Sequence, residues 1–236
     1  MRTLVEVVAR AGPGGRTVLP VVRASGQLAV RRTGPSTVHL VATAFGPLGG
    51  DDAEVRLVVE AGARLAVRTV AAAVVLPARG ESPPSVQRVR AEVAGSLDLR
   101  AEPTVVTRGA HHHALLHAQL DDDAELTATE QVQLGRVGEE PGRWTGTTRV
   151  ERAGTPLLHT TVGLGPGAPA WLPPVAPRAY ASTVHAGAAL ARATGEDAVR
   201  LPLERGWVAT AWGDRLAPTL GRLALLEGAA PVEEAQ

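Results

Sequence analysis

The densest group of side chains able to bind a metal or move a proton is the run His111-His112-His113-Ala114-Leu115-Leu116-His117. Imidazole suits nickel, zinc and copper. A strand would send His111, His113 and His117 out of one face and His112 out of the other, whereas a helix would align only His113 and His117. Tandem histidines also occur as solvated surface, and no second cluster with fixed ligand spacing accompanies this one, so metal contact and plain surface both stand as readings. Asp121-Asp122-Asp123 follows shortly. It adds carboxylates, or it is a charged tight turn between strands.

Two further carboxylates fall inside strand-like patterns: Glu102, before Pro103, and Glu130, within Thr127-Ala128-Thr129-Glu130-Gln131-Val132. A carboxylate in such a pattern is costly to bury unless it lines a wet cavity or finds a partner. Oxygen ligands that hold a hydrated divalent ion weakly enough to release it are what an ion conduit needs. Exposure at a strand edge is the competing reading. His39, His159 and His185 are isolated, and for each the expectation is a hydrogen-bonded structural role.

Residues 41–51, Val-Ala-Thr-Ala-Phe-Gly-Pro-Leu-Gly-Gly-Asp, form a compact glycine turn that ends in a carboxylate. Gly46, Gly49 and Gly50 permit positive φ or close backbone approach, and Asp51 can accept bonds from the turn amides as an Asx cap. After it, Glu54 to Glu60 alternates polar and apolar residues, Glu60-Ala61-Gly62-Ala63-Arg64 reads as a turn, and Leu65 to Val70 resumes the strand. The pattern predicts a hairpin over this stretch.

Short alternating or β-branched runs recur between Gly, Pro and Asp turns, at Val5–Val8, Val18–Arg23, Leu28–Arg32, Val38–Thr43, Val55–Val59, Leu65–Val70, Val86–Val93, Leu97–Leu99, Val132–Leu134 and Thr147–Glu151. Helical periodicity is nearly absent before residue 170. A loose echo links Ser25-Gly26-Gln27-Leu28-Ala29-Val30, Ala61-Gly62-Ala63-Arg64-Leu65-Ala66-Val67, Ala94-Gly95-Ser96-Leu97-Asp98-Leu99 and Asp122-Asp123-Ala124-Glu125-Leu126-Thr127. It predicts stacked, layered β-hairpins, β-helix-like or sandwich-like, although turn followed by strand looks this way in many β proteins. Pro166, Pro169, Pro173, Pro174 and Pro177 mark a proline-rich loop over 166–180. Strand signals return at Ala181–His185, Val199–Leu203 and Trp207–Trp212. Asp214 then reads as the N-cap of a short helix with Leu216, Leu220, Leu223 and Leu226 on one face and Pro218 in its first turn. That helix either docks on the β core or meets a partner. Glu233, Glu234 and Gln236 should fray. The expectation is a mostly β chain forming one domain over 1–236, with the C-terminal strands and helix in 181–236.

Composition narrows the chemistry. The chain is 44% hydrophobic, and 24 Lys+Arg balance 24 Asp+Glu. This is a globular composition with room for a sizeable core. Lys is absent, so every Lys+Arg position is Arg, and Arg abundance is poor evidence for phosphate binding. Zero net charge argues against a nucleic-acid partner. With no cysteine, disulfides, thiolate metal sites and cysteine nucleophiles are excluded. No apolar run approaches the ~20 residues of a spanning helix, and the first ten residues hold no uninterrupted apolar stretch, so the expectation is a cytoplasmic protein without a membrane partner. Enzyme signatures are missing: no Gly-x-x-x-x-Gly-Lys-Ser/Thr loop, no Gly-x-Ser-x-Gly and no His-Glu-x-x-His. Gly163-Leu164-Gly165-Pro166-Gly167 lacks the following helix of a nucleotide loop.

Several segments, in order, resemble the urease accessory protein UreD (UreH) family. They are Gly46-Pro47-Leu48-Gly49-Gly50-Asp51, Glu60-Ala61-Gly62-Ala63-Arg64-Leu65, Glu102-Pro103-Thr104, Gly109-Ala110, Glu130 with Leu134-Gly135-Arg136, Pro141-Gly142-Arg143-Trp144, Gly154-Thr155-Pro156-Leu157-Leu158-His159 and Leu164-Gly165-Pro166-Gly167. The resemblance runs over residues 1–165, with the last quarter matching loosely. It implies a non-catalytic maturation factor that binds the accessory protein UreF, recruits the GTPase UreG through it, docks on the urease apoprotein and passes nickel through an internal tunnel. No tightly bound cofactor is implied, only transient Ni²⁺. By position, Asp51 matches the family at the glycine turn, with Glu102 and Glu130 as tunnel-lining candidates. His111 and His113 are candidate nickel contacts by chemistry. The chain departs from the family at Thr69–Leu76, where polar and aromatic residues are usual, and at Val106–His111. Those departures put nickel passage and partner choice in question.

Two other classes remain open. A β-structured interaction module, a diverged paralogue without a metal role, would keep the scaffold alone. A metal-dependent hydrolase would use His111, His113 and Asp123 around a tightly held ion.

Overall fold

The computed structural model describes residues 1–168 and 176–228. Strands dominate, as the alternating runs predict. In chain order they are β1 (Arg2–Ala11), β2 (Thr17–Ser25), β3 (Leu28–Arg32), β4 (Thr37–Ala42), β5 (Asp52–Val59), β6 (Arg64–Thr69), β7 (Ala73–Val75), β8 (Ser85–Val93), β9 (Ser96–Arg100) and β10 (Thr104–Val106), followed by β11 (His111–Leu120), β12 (Glu125–Leu134), β13 (Arg143–Arg152), β14 (Thr155–Leu164), β15 (Ala179–Ala186), β16 (Ala193–Gly195), β17 (Ala198–Leu203) and β18 (Gly206–Gly213). One α-helix, α1 (Leu216–Glu227), follows, and the only other helical turn among the described residues is a 3₁₀ turn at Pro13–Gly15. Pro169, Pro173, Pro174, Glu233, Glu234 and Gln236 lie outside the described residues.

The strands form two facing sheets. One has seven strands in the order β14-β13-β11-β8-β5-β1-β2; the other has eleven, running β16-β17-β18-β15-β12-β9-β6-β4-β3, with β10 and β7 beside β12. Their middles are parallel: β1, β5, β8, β11 and β13 in the first, and β4, β6, β9 and β12 in the second. The chain therefore does not fold back on itself at Glu60–Arg64. It crosses from β5 in one sheet to β6 in the other, and the hairpin expected over residues 54–70 is an arch between layers. Alternation identifies both strands but not their partners, because an arch and a hairpin share the same period.

Three of the four echoing turn-then-strand segments stack in one parallel ladder, β6, β9 and β12, while the first, Ser25–Val30, leads into β3, which pairs antiparallel with β4. Arg64 lies beside Ser96, and Ser96 beside Glu125; Leu65, Leu97 and Leu126 form the next row, and Val67, Leu99 and Ala128 the one after the intervening outward row. Facing them, Val5, Val55, Val89 and Leu116 form one inward row, and Val7, Leu57, Ala91 and Ala118 another. Leu57, Leu65, Leu97 and Leu126 are all at most 2% exposed. These rows are the larger apolar core, which fills the end of the sandwich near the turns; a smaller cluster around Val106, Val132, Leu134, Trp144 and Leu164 closes the other end.

The edges are blunted. Edge strand β2 contains Pro20, and its pairing with β1 is bulged between Val8 and Arg10; edge strand β14 contains Pro156, and its pairing with β13 is bulged between Val150 and Glu151. The opposite sheet ends in the short strands β3, with Arg31 and Arg32, and β16.

Helix α1 buries Thr219, Leu223 and Leu226 against Ala181, Ala198, Trp207, Ala209 and Ala211. This is the docked arrangement of the two foreseen. Its N-cap is Arg215, not Asp214, and carries no side-chain capping bond. The Gln133 side chain supplies the missing acceptor instead: Leu216 N–H donates to Gln133 Oε1 at 2.9 Å, while Gln133 Nε2 donates to the Asp214 and Arg178 carbonyls. Pro218 sits in the first turn, where its missing N–H is no loss. Gly228 ends the helix with φ 76°.

Leu223→Ala should therefore lower the stability to urea unfolding by about 2–4 kcal/mol, whereas Leu225→Ala, at a position 66% exposed, should change it by no more than about 0.5 kcal/mol. Equal effects would show that the helix does not dock by this face.

Candidate functional site

The inward row of β12 reads Leu126, Ala128, Glu130, Val132, Leu134. Four of these are buried apolar side chains; the fifth is a carboxylate. Glu130 has no hydrogen-bond partner among the described residues, and burial pushes its pKa up to about 8. It keeps some surface because it borders a cavity of about 110 Å³ between the sheets. That volume is room for several water molecules. Glu130, His112, Gln87, Thr148, Thr160 and Tyr180 give the lining its polar character, among apolar neighbours such as Val89, Leu116 and Val184.

Across the gap, Glu130 reaches toward β13, and a Cβ on Gly146 would lie 2.8 Å from Glu130 Oε2 and 2.2 Å from the Trp144 ring. Glycine at 146 therefore makes room for both side chains. Trp144 packs on Tyr180 with ring centroids 5.4 Å apart. The indole Nε1 of Trp144 is buried without a partner among the described residues. Burial, then the adjacent Glu130 charge, raise the Tyr180 pKa to about 12. The interior here is thus polar and incompletely paired, which suits bound water or a hydrated ion and does not suit dry packing.

Strand β11 settles the geometry of the histidine run. As the strand alternative required, His111, His113 and His117 face outward and His112 inward. His112 is 1% exposed, with Nδ1 2.9 Å from Ser85 Oγ. Its pKa falls to about 4, chiefly through burial and then through its two histidine neighbours. His111 and His113 are half-buried, with their Nε2 atoms 2.9 Å apart. His117 joins neither; its Nε2 lies 3.1 Å from Glu151 Oε2. Elsewhere, His39 Nδ1 pairs with Thr33 Oγ1 at 2.7 Å and His185 Nδ1 with Thr127 Oγ1 at 3.0 Å, as expected of structural histidines, while His159 is exposed on β14.

Glu102 and Glu130 border the same cavity, Glu102 at an exposed position and Glu130 in the interior. The Glu102 amide donates to Thr69 Oγ1, which fixes that rim. Asp51 lies elsewhere. Its Oδ2 accepts from Leu48 N–H at 2.9 Å and Gln27 Nε2 at 3.0 Å, and its Oδ1 is bonded to the Met1 ammonium. Burial opposes its charge, yet these bonds together hold its pKa below the ordinary value. The carboxylate is an Asx-type anchor of the glycine turn: Gly46 has φ 133°, Gly50 φ 82°, and a Cβ on Gly49 would meet Ser82 Oγ at 2.3 Å. Asp121, Asp122 and Asp123 form the turn between β11 and β12, where Asp121 and Asp122 offer their carbonyls to Arg152. Asp123 is therefore at the far end of β11 from His113, roughly 20 Å away at ~3.3 Å per strand residue. His111, His113 and Asp123 cannot share an ion, which removes the hydrolase reading. Among the described residues no group of three or more His, Asp or Glu side chains is placed to hold a metal, and no helix is long and apolar enough to cross a membrane.

Sequence reasoning missed the polar residues that share the cavity with Glu130. Gln87, Thr148 and Thr160 are ordinary strand residues, and only the register of four strands brings them to one cavity.

Because the folded state holds the Glu130 proton more tightly than the unfolded chain, its contribution to stability is complete below about pH 4.5 and is lost as pH rises to about 8. Glu130→Gln should flatten this part of the profile. Melting temperatures by circular dichroism between pH 5 and 9 should fall for the wild type and hold nearly level for the variant; parallel curves would mean that Glu130 is already ionised inside.

A family model described as UreD urease accessory protein matches residues 4–222. The match takes in the C-terminal strands and most of α1, beyond the limit at residue 165 drawn from the motifs. Among curated relatives, urease accessory protein UreD of Parafrankia sp. is 38% identical over 224 residues, covering 80% of this chain and 75% of its own. UreD of Frankia alni is 39% identical over 217 residues, with 80% and 72% covered. UreD of Streptomyces avermitilis is 38% identical over 177 residues, with 72% and 69% covered. The chain belongs to the UreD family of urease accessory proteins.

Proposed function

We propose that this chain is a non-catalytic scaffold in urease maturation, which binds UreF, recruits UreG through it, meets the urease apoprotein and gives nickel a sheltered path. Family membership supports the maturation role. The observation that carries the finer reading is Glu130: an inward carboxylate without a partner among the described residues, bordering a polar-lined cavity whose rim includes the exposed Glu102. A side chain that costs stability, set in an otherwise apolar row, fits a task other than folding. A hydrated nickel ion is a substrate here, not a resident group. Isolated oxygen ligands hold such an ion weakly, which passage needs. GTP hydrolysis belongs to the partner, since the chain has no lysine for a phosphate loop.

The test is co-expression with UreF, UreG and the urease apoprotein, followed by nickel-dependent urease activity. Activation should require the chain. Glu130→Leu should reduce it while the complex with UreF still forms on size exclusion. Full activation by a folded Glu130→Leu variant would leave a scaffold with no metal role, and no complex at all would overturn the reading.

A further inference from the structure

His111 and His113 stand two residues apart on β11, a strand held by parallel ladders to β8 on one side and β13 on the other. Both side chains leave the outward face of the seven-stranded sheet, opposite the cavity. Their rings meet edge to face, with centroids 4.6 Å apart and planes inclined by 69°, and the two Nε2 atoms converge to 2.9 Å. Two imidazole nitrogens at that separation, each bound at the usual ~2.0–2.1 Å, subtend about 90° at a shared ion. That is the angle between adjacent ligands of a square-planar or octahedral ion, whereas a tetrahedral ion wants its ligand nitrogens ~3.3 Å apart.

We propose that His111 and His113 form a two-imidazole surface site for a divalent late first-row ion of tetragonal preference, nickel or copper, in place of zinc. The proton accounting closes without loss. In the unbound pair one Nε2–H donates to the other Nε2; ion binding needs both Nε2 lone pairs, so the donor ring moves its proton to Nδ1. The remaining coordination positions go to water, since among the described residues no third His, Asp or Glu joins the pair. Arg143 stands beside His111 in the ladder, and its positive charge further loosens the ion. The ladders hold the two Cα positions on one face and the surroundings keep the ion exchangeable, a combination that suits capture and hand-over rather than storage.

The site deepens the nickel reading and rests on it for which ion is met in the cell, but not for binding itself. Equilibrium dialysis of the full chain against nickel, copper and zinc salts should give a saturable equivalent held in the order copper, nickel, zinc. His111→Ala and His113→Ala should each abolish it, while His117→Ala and His159→Ala, on the same sheet, should retain it. The copper-loaded chain should show two coordinated nitrogens by electron paramagnetic resonance. Binding that survives in the His111→Ala/His113→Ala double variant, or no binding by the wild type above buffer, would overturn the site. Urease activation measured in the same variants separates the two ideas, because a chain that activates urease without binding metal at this pair keeps the maturation role and loses only the site.

Discussion

Successive turns of the chain rest their backbones directly on one another at one end of the sandwich. The Ser96 amide donates to the Ala63 carbonyl at 3.0 Å, and the Glu125 amide to the Gly95 carbonyl at 2.9 Å. The contact is so close that a Cβ on Gly95 would lie 2.2 Å from the Ala63 oxygen. On the other sheet the Ala94, Asp121 and Ala153 amides likewise donate to Val59, Val93 and Leu120. Backbone bonds on both arms of every arch leave no freedom to slip, and a one-residue slip would turn each inward row outward. Everything further along the strands inherits its position from this stacked end.

Distance from the turns then sorts the interior. Rows beside the arches carry Leu, Val and Ala and pack without polar groups. Farther along, the same rows reach Gln87, Thr148, Glu130 and, beyond them, Ser85 and His112. The sandwich is thus an apolar clamp at one end and a polar-lined chamber toward the other. The rigidity that holds a carboxylate without a partner in place comes from the end that has no chemistry.

Much of this was legible in the residues, though unevenly. Three of the four repeated turn-then-strand segments, at 61–67, 94–99 and 122–127, mark strands that stack in register, because stacked arches require like residues at like places. What they could not carry was the partner of each strand, and so β5 and β6 read as a hairpin. Strand β11 was hidden by its histidines, whose side chains have no marked strand preference, and β7 and β10 are too short to show a period. Glu130 was visible as a carboxylate out of place in its pattern. That Asp51 is fully engaged in its own turn was foreseeable only as one of two readings, since the decisive donor from Gln27 is distant in sequence. Asp214 looked like a cap, but Gln133, on a strand eighty-three residues earlier than Leu216, took the task.

The two ends of the seven-stranded sheet carry the same device, a proline and a bulge on the outermost strand. Parallel ladders have no inherent stopping point: each exposed row of amides and carbonyls is a template for the next chain. A proline removes a donor from that row and a bulge twists it out of line. The seven-stranded sheet is therefore finite by construction, and both of its outermost strands are poor templates for a further strand. A protein meeting this sheet at either edge finds an interrupted backbone row, so recognition there falls to side chains, which distinguish this chain from other β proteins, and not to the backbone they share.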